Sequence, residues 1–166
     1  MIINNRERIG DWESDSMICK YYQAVSVQLE RKSKTIRISK LDDHTAEETN
    51  QAISRQIELS NNYDLWKSIT FDNGGENAKH IEIRNNFNID TYFCDPYKSW
   101  QKGSIENANG LIRQYLPRKT DLSKVSDNEI YEIQESLNNR PRKALCYLTP
   151  NEILEQEILK SGALNS

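Results

Sequence analysis

The sequence predicts one α/β domain, a mixed five-stranded sheet flanked by helices. Three observations predict it. Three alternating segments succeed one another between residues 12 and 40, the period turns helical at residue 45, and two further short apolar segments then alternate with helical stripes. The 166 residues suit a single domain, and 36% hydrophobic residues leave enough apolar surface for one core.

The elements follow in order. Trp12 to Cys19 alternates as a first strand. Tyr21 to Glu30 alternates more clearly, with Tyr21, Gln23, Val25, Val27 and Leu29 on one face. The charged run Arg31-Lys32-Ser33-Lys34 makes a turn, and Lys34 to Lys40 a third strand of an antiparallel meander. Thr45-Ala46-Glu47-Glu48 is a capping box for a helix to about Leu59. Lys67 to Phe71 is a short apolar strand ending in the turn signal Asp72-Asn73-Gly74-Gly75, with a short helix around 77–84 after it. Ile89 to Cys94 is the fifth strand. Ser104 caps the next helix, whose stripe of Ile105, Ala108, Ile112, Tyr115 and Leu116 stops at Pro117. Capping boxes at Ser126 and Thr149 open two more helices, the second with Pro150 at its first position. The order βββ-α-β-α-β-α, followed by two helices, is that of a ribonuclease H-like sheet. Residues 1–155 are expected to form this core and 156–166 a C-terminal tail.

Composition narrows the class. No apolar run approaches the ~20 residues of a membrane span, and Met1 to Gly10 lacks the apolar stretch of a signal peptide. Cys19, Cys94 and Cys146 are odd in number and widely spaced, which disfavours a disulfide framework or structural zinc and favours a reducing cytoplasm. The net charge of −3 argues against a dedicated nucleic-acid binder. Its distribution is uneven, however: residues 98–143 carry nine positive and six negative charges, either a basic surface or an ordinary solvated face.

The carboxylates give the chemistry. Asp15 lies in mid-strand, Asp72 just past the end of the fourth strand, and Glu106 in the first turn of the helix after the fifth. In a ribonuclease H-like sheet these positions converge. Three convergent carboxylates repel without a cation, and hard oxygen ligands select Mg²⁺ or Mn²⁺. Two such ions activate a nucleophile and stabilise a leaving oxygen at a phosphodiester. Two of the acids also have a plainer reading: Asp72 as a turn former, and Glu106 as an acid favoured by the helix dipole. A mid-strand Asp15 with Glu13 on the same face opposes strand propensity and has no comfortable plain role.

These residues also carry a family resemblance. Gly10-Asp11-Trp12-Glu13-Ser14-Asp15-Ser16 resembles the G-H-W-E-G-D-T segment of insertion-sequence transposases of the IS-thirty family. Thr70-Phe71-Asp72-Asn73-Gly74 resembles that family's T-F-D-N-G. Tyr92-Phe93-Cys94-Asp95-Pro96-Tyr97, Trp100-Gln101-Lys102-Gly103 and Glu106-Asn107-Ala108-Asn109-Gly110 are similar to the run leading to its catalytic glutamate. Leu137 to Lys143 and Leu148 to Glu152 resemble its C-terminal signature. Asp72 and Glu106 stand 34 positions apart, as the family's DDE spacing requires, and the likeness covers about residues 6–155. Ser14 and Ser16 replace a glycine and a threonine, and neither removes a ligand; Asn77 stands in place of a common phenylalanine and Lys119 of a glycine.

The resemblance implies a retroviral integrase-like catalytic core in the bacterial cytoplasm. Asp15, Asp72 and Glu106 would hold two Mg²⁺ or Mn²⁺ ions, with Asp15 bridging them, for DNA nicking and strand transfer. It implies DNA as partner and a homodimer or higher homo-oligomer. Family members carry an N-terminal helix-turn-helix region, so this chain is expected to be an excised domain or the product of a truncated gene. Further residues are weaker candidates. Trp100, Lys102, Asn107 and Arg113 suit contacts with DNA, while Glu13, Asn73 and His80 suit support of the metal ligands. Trp100 also suits a loop anchor, and Arg140, Arg142 and Lys143 are either a DNA-backbone patch or a solvated helix end. Two other readings compete, a ribonuclease H-like nuclease and a folded remnant without activity.

Overall fold

A computed structural model describes residues 8–71, 80–94 and 103–164. Its strands are β1 (Asp11–Ile18), β2 (Ala24–Glu30), β3 (Ile36–Leu41), β4 (Ser68–Phe71) and β5 (Asp90–Phe93). Its helices are α1 (Ala46–Leu59), α2 (His80–Phe87), α3 (Gly103–Arg113), α4 (Asp127–Asn138) and α5 (Pro150–Leu164). The sheet order is β3-β2-β1-β4-β5. The first three strands form an antiparallel meander, and β4 and β5 run parallel to β1. The predicted mixed sheet of five strands is therefore present.

Alternation along the strands sorts the side chains to two faces. Met17, Val25, Val27, Leu29, Ile36 and Ile38 pack beneath Ile105, Ala108 and Ile112 of α3 and Ile130 and Leu137 of α4. On the other face Trp12, Ile69 and Phe71 meet Ile53 and Ile57 of α1, Ile83 of α2 and Leu154 of α5. Trp12 stacks on Trp66 at 3.9 Å between ring centroids and donates its indole N–H to the Leu65 carbonyl at 2.7 Å. Helix α5 runs without a break past residue 155, and its Glu157 pairs with Lys32 at 2.9 Å.

Some element ends differ from expectation. The second strand starts at Ala24, because Lys20–Tyr22 is a short 3₁₀ turn closed by Cys19 N–H to Gln23 O (2.7 Å) and Gln23 N–H to Lys20 O (3.2 Å). Tyr21 and Tyr22 sit there at φ of 60° and 58°, left-handed values that a strand excludes. Lys34, also left-handed at φ 64°, delays the third strand to Ile36. Ser104 lies inside α3 rather than before it. The capping box at Ser126 is reciprocal: Ser126 accepts from the Glu129 N–H, and Glu129 from the Ser126 N–H. At Thr45 only the hydroxyl caps, and Glu48 instead accepts from the amides of Asp42 and Asp43.

Strand β3 is an edge, yet its free backbone groups are not open to another chain. Asn138 of α4 accepts from the Ile36 N–H and donates to the Ile36 C=O, both at 2.8 Å, and Gln134 accepts from the Ile38 N–H at 2.9 Å. Gln56 of α1 donates to the Ile38 C=O at 3.3 Å, so three amide side chains take the place of a further strand, which protects the edge against non-native pairing. Asn138 is fully buried. Asn138→Leu is expected to strand the Ile36 N–H, leaving the Ile36 C=O only its bond from the Arg37 guanidinium at 3.2 Å, and cost about 1–3 kcal/mol in urea unfolding. A loss below about 0.5 kcal/mol would show that the edge is satisfied in another way.

Candidate active site

Strand β1 has neighbours on both sides, but β4 pairs with it only over Asp11–Glu13. Asp15 lies two residues beyond the last of these pairs and is half-buried. Its Oδ1 accepts from the Ser16 N–H at 2.8 Å, and its Oδ2 from the Asn109 side-chain amide at 3.1 Å. The strand itself and helix α3 therefore both hold the carboxylate.

The rotation of α3 follows from its buried stripe. Ile105, Ala108 and Ile112 face the sheet, so Glu106, Asn109 and Arg113 form the adjacent stripe. Two of these three reach the end of β1 or the residues just after it. Asn109 bonds Asp15, and Arg113 donates to the Ile18 carbonyl at 2.9 Å, the Leu116 carbonyl at 3.4 Å and the Cys19 Sγ at 3.7 Å. Glu106 stands one turn ahead of Asn109, about 4.5 Å along the axis. Its carboxylate is exposed and makes no hydrogen bond or ion pair among the described residues. The Asn109 bond brings the Glu106 stripe to the strand that carries Asp15.

The remaining candidates are distributed as follows. Asp72, Asn73, Trp100 and Lys102 lie outside the described residues; Asp72 follows Phe71, the last residue of β4. Glu13 is buried and paired with Arg31 at 3.1 Å, itself buried in the turn after β2. His80 faces β5, with Nδ1 3.0 Å from the Thr91 hydroxyl and its ring edge-on to Phe93 at 4.7 Å. The Arg113 guanidinium is engaged with the backbone as described. Asn107 is exposed on α3, on the side turned from Asp15 toward the β2–β3 turn.

Three participants escaped the sequence reading. Asn109 was findable, because it stands three positions after Glu106 and so shares its helix face. Arg31 offers the cation that a buried Glu13 needs, but only the β1–β2 register, which pairs Glu13 with Leu29, brings its turn near. Asp11 accepts from the Nε and Nη2 of Arg8, both at 2.9 Å, and from the Ser68 hydroxyl at 2.6 Å, which anchors β4 to the start of β1. The Asp11 contact holds the Arg8 pKa above its ordinary value. Nearby Glu30 is pushed up by burial, against the lowering effect of hydrogen bonds from Ser33, Lys32 and Gly10.

The donor set suits a hard cation. Asp15 and Glu106 offer carboxylate oxygens, and the Oδ1 of Asn109 is buried with no hydrogen-bond partner beside Asp15. Among the described residues no three His, Cys, Asp or Glu side chains gather at one point.

With this geometry in hand, comparison with known proteins is informative. No protein-family model matches the chain. The InsI transposase of insertion element IS30A from Escherichia coli is 40% identical over 156 residues, 94% of this chain and 40% of that protein. The transposase of IS4351 from Bacteroides fragilis is 42% identical over 158 residues, 95% of this chain and 48% of that protein. Over nearly its whole length, the chain is similar in sequence to these transposases. It spans less than half the length of these relatives. The chain also shares a fold with the HTLV-2 integrase catalytic core, at TM-score 0.67, 22% identity, and 88% of this chain on 96% of that one. That likeness identifies the sheet and its helices as the ribonuclease H-like fold in its integrase-core form.

Proposed function

We propose that this chain is the catalytic core of a DNA transposase, with Asp15, Asp72 and Glu106 as the ligands of two Mg²⁺ or Mn²⁺ ions. The observation that carries this reading is the Asn109–Asp15 hydrogen bond, which brings the helix of Glu106 onto the strand of Asp15. Homology to transposases supports the DNA substrate. An HTLV-2 integrase core of the same fold is known in complex with magnesium and in trimeric and dimeric forms, which supports a divalent ion and a homo-oligomer here.

When bound, the ions supply a stabilised nucleophile and charge compensation at phosphorus. The residues of the chain supply position. The Ser16 amide and Asn109 hold the Asp15 carboxylate in one orientation, so it is set before any ligand arrives. Glu106, exposed and uncommitted, offers a donor on the solvent side. The chemistry is two in-line displacements. In the first, water attacks a phosphodiester and expels a 3′ oxygen, which leaves as a hydroxyl. In the second, that hydroxyl attacks a target phosphodiester, gives up its proton and expels the target's 3′ oxygen. Neither displacement requires a covalent bond to the protein.

A joining assay tests this. Supercoiled plasmid and a labelled duplex oligonucleotide are incubated with the chain and Mn²⁺. The expected product is label joined covalently to plasmid. Cleavage of the RNA strand of an RNA–DNA hybrid without joining would support the nuclease reading instead. Absence of either reaction from the folded chain contradicts a catalytic role.

A further inference from the structure

A second charged cluster lies on α3 beside the Glu106 stripe and has no part in the chemistry above. A cavity of about 220 Å³ is lined by Lys34 from the β2–β3 turn, Ser104 and Asn107 from the first turns of α3, and Arg142 and Lys143 from the turn after α4, over an apolar floor that includes Leu29. Three cations meet there, and none of the lining residues is acidic.

Two details show that the cluster is built rather than incidental. The Arg142 Nε is buried with no partner among the described residues, although its Nη2 donates to the Leu137 carbonyl at 3.3 Å. A buried, unmet N–H is costly unless a ligand meets it. Lys34 sits at φ 64°, a conformation that side chains other than Gly, Asn and Asp seldom adopt, and its Nζ donates to the Ser104 hydroxyl at 3.3 Å. That strained turn carries its ammonium to the first turn of α3, the end of a helix whose dipole favours an anion.

We propose that this cavity, formed by Lys34, Ser104, Asn107, Arg142 and Lys143, holds one phosphate of a DNA backbone. A strand crossing the first turns of α3 would then reach both this cavity and the side of the helix that carries Glu106. The proposal rests on the transposase reading for the identity of the nucleic acid, but not on metal binding or catalysis. Its cations, hydroxyl and amide recognise phosphate, so the site positions a strand without reading its sequence.

The test is duplex DNA binding by the whole chain in EDTA, followed by fluorescence anisotropy between 50 and 200 mM salt, as is usual for such contacts. The variants are Lys34→Asn, which keeps a residue type that tolerates the left-handed turn, Lys143→Gln, and the pair together. Lys160→Gln, an exposed lysine of α5, is the control for loss of charge alone. Circular dichroism checks that each is folded. The double variant is expected to bind roughly tenfold more weakly at the lowest salt, with the slope of log affinity against log salt reduced by about 1. The control should match the wild type. Unchanged affinity and slope in the double variant overturn the proposal. Inorganic phosphate is a second probe, followed through the amide resonances of Ser104 and Asn107. Shifts that need both lysines, with unchanged DNA affinity, would assign the cavity to a free anion and also overturn it. Because no metal is present, loss of joining activity leaves this result untouched, and weakened DNA binding without any joining would fault only the catalytic reading.

Discussion

Glu106→Gln is expected to abolish DNA joining while leaving the thermal midpoint within about 4 °C of the wild type. The carboxylate is exposed and has no partner among the described residues, so the fold loses only its interaction with the helix dipole, about 0.3–1 kcal/mol. For a chain of this length that is a shift of roughly 1–4 °C. Glutamine keeps the shape, but a neutral amide is a poor ligand for a hard cation. Joining is followed with the labelled duplex and stability by thermal melting of the same preparation. Activity within tenfold of the wild type would remove Glu106 from the site. A large drop in the melting temperature would mean that the residue holds the fold.

The opposite pattern is expected for Arg31. Arg31→Met should cost about 3–5 kcal/mol in urea unfolding, because it leaves the buried Glu13 carboxylate without its ion-pair partner. Glu13→Gln should cost less, since a neutral amide is less costly to bury than a lone charge. Arg31→Met combined with Glu13→Leu should recover much of the loss, since apolar side chains can replace a buried ion pair at little cost. The coupling energy of this double-mutant cycle is the quantity to read. A cost below about 1 kcal/mol for Arg31→Met would show that the pair does not support the strand beside Asp15.

These two residues show what the sequence could and could not reveal. Asp15 stood out as a candidate because an aspartate in mid-strand opposes strand propensity, and the place of Glu106 in the first turn of a helix could be read from the apolar stripe that follows it. Glu13 and Asp15 of β1 were read together, yet the structure treats them differently. Glu13 is buried against Arg31, while Asp15 is half-buried and held by Asn109. That division depends on a turn folding back from 18 positions away, and no local pattern encodes it. The ends of β2 and β3 were hidden for a different reason. Tyr21, Tyr22 and Lys34 take left-handed backbone angles without the glycine or asparagine that usually marks them. The cover on β3 did leave a trace. Gln134 and Asn138 fall on the same face of α4 as Ile130 and Leu137, and amides on an apolar face call for partners.

Titration of Mn²⁺ into the chain by calorimetry tests most directly the claim that Asp15, Asp72 and Glu106 form one cation site. The wild type is expected to bind the ion at millimolar concentration or below and to melt at a higher temperature in its presence. Asp15→Asn, Asp72→Asn and Glu106→Gln should each remove most of the binding heat and most of that thermal shift. Lys160→Gln should retain both. Binding that survives unchanged in Asp15→Asn or Glu106→Gln, or a wild-type chain that binds no divalent ion even at 10-millimolar order, would contradict the account.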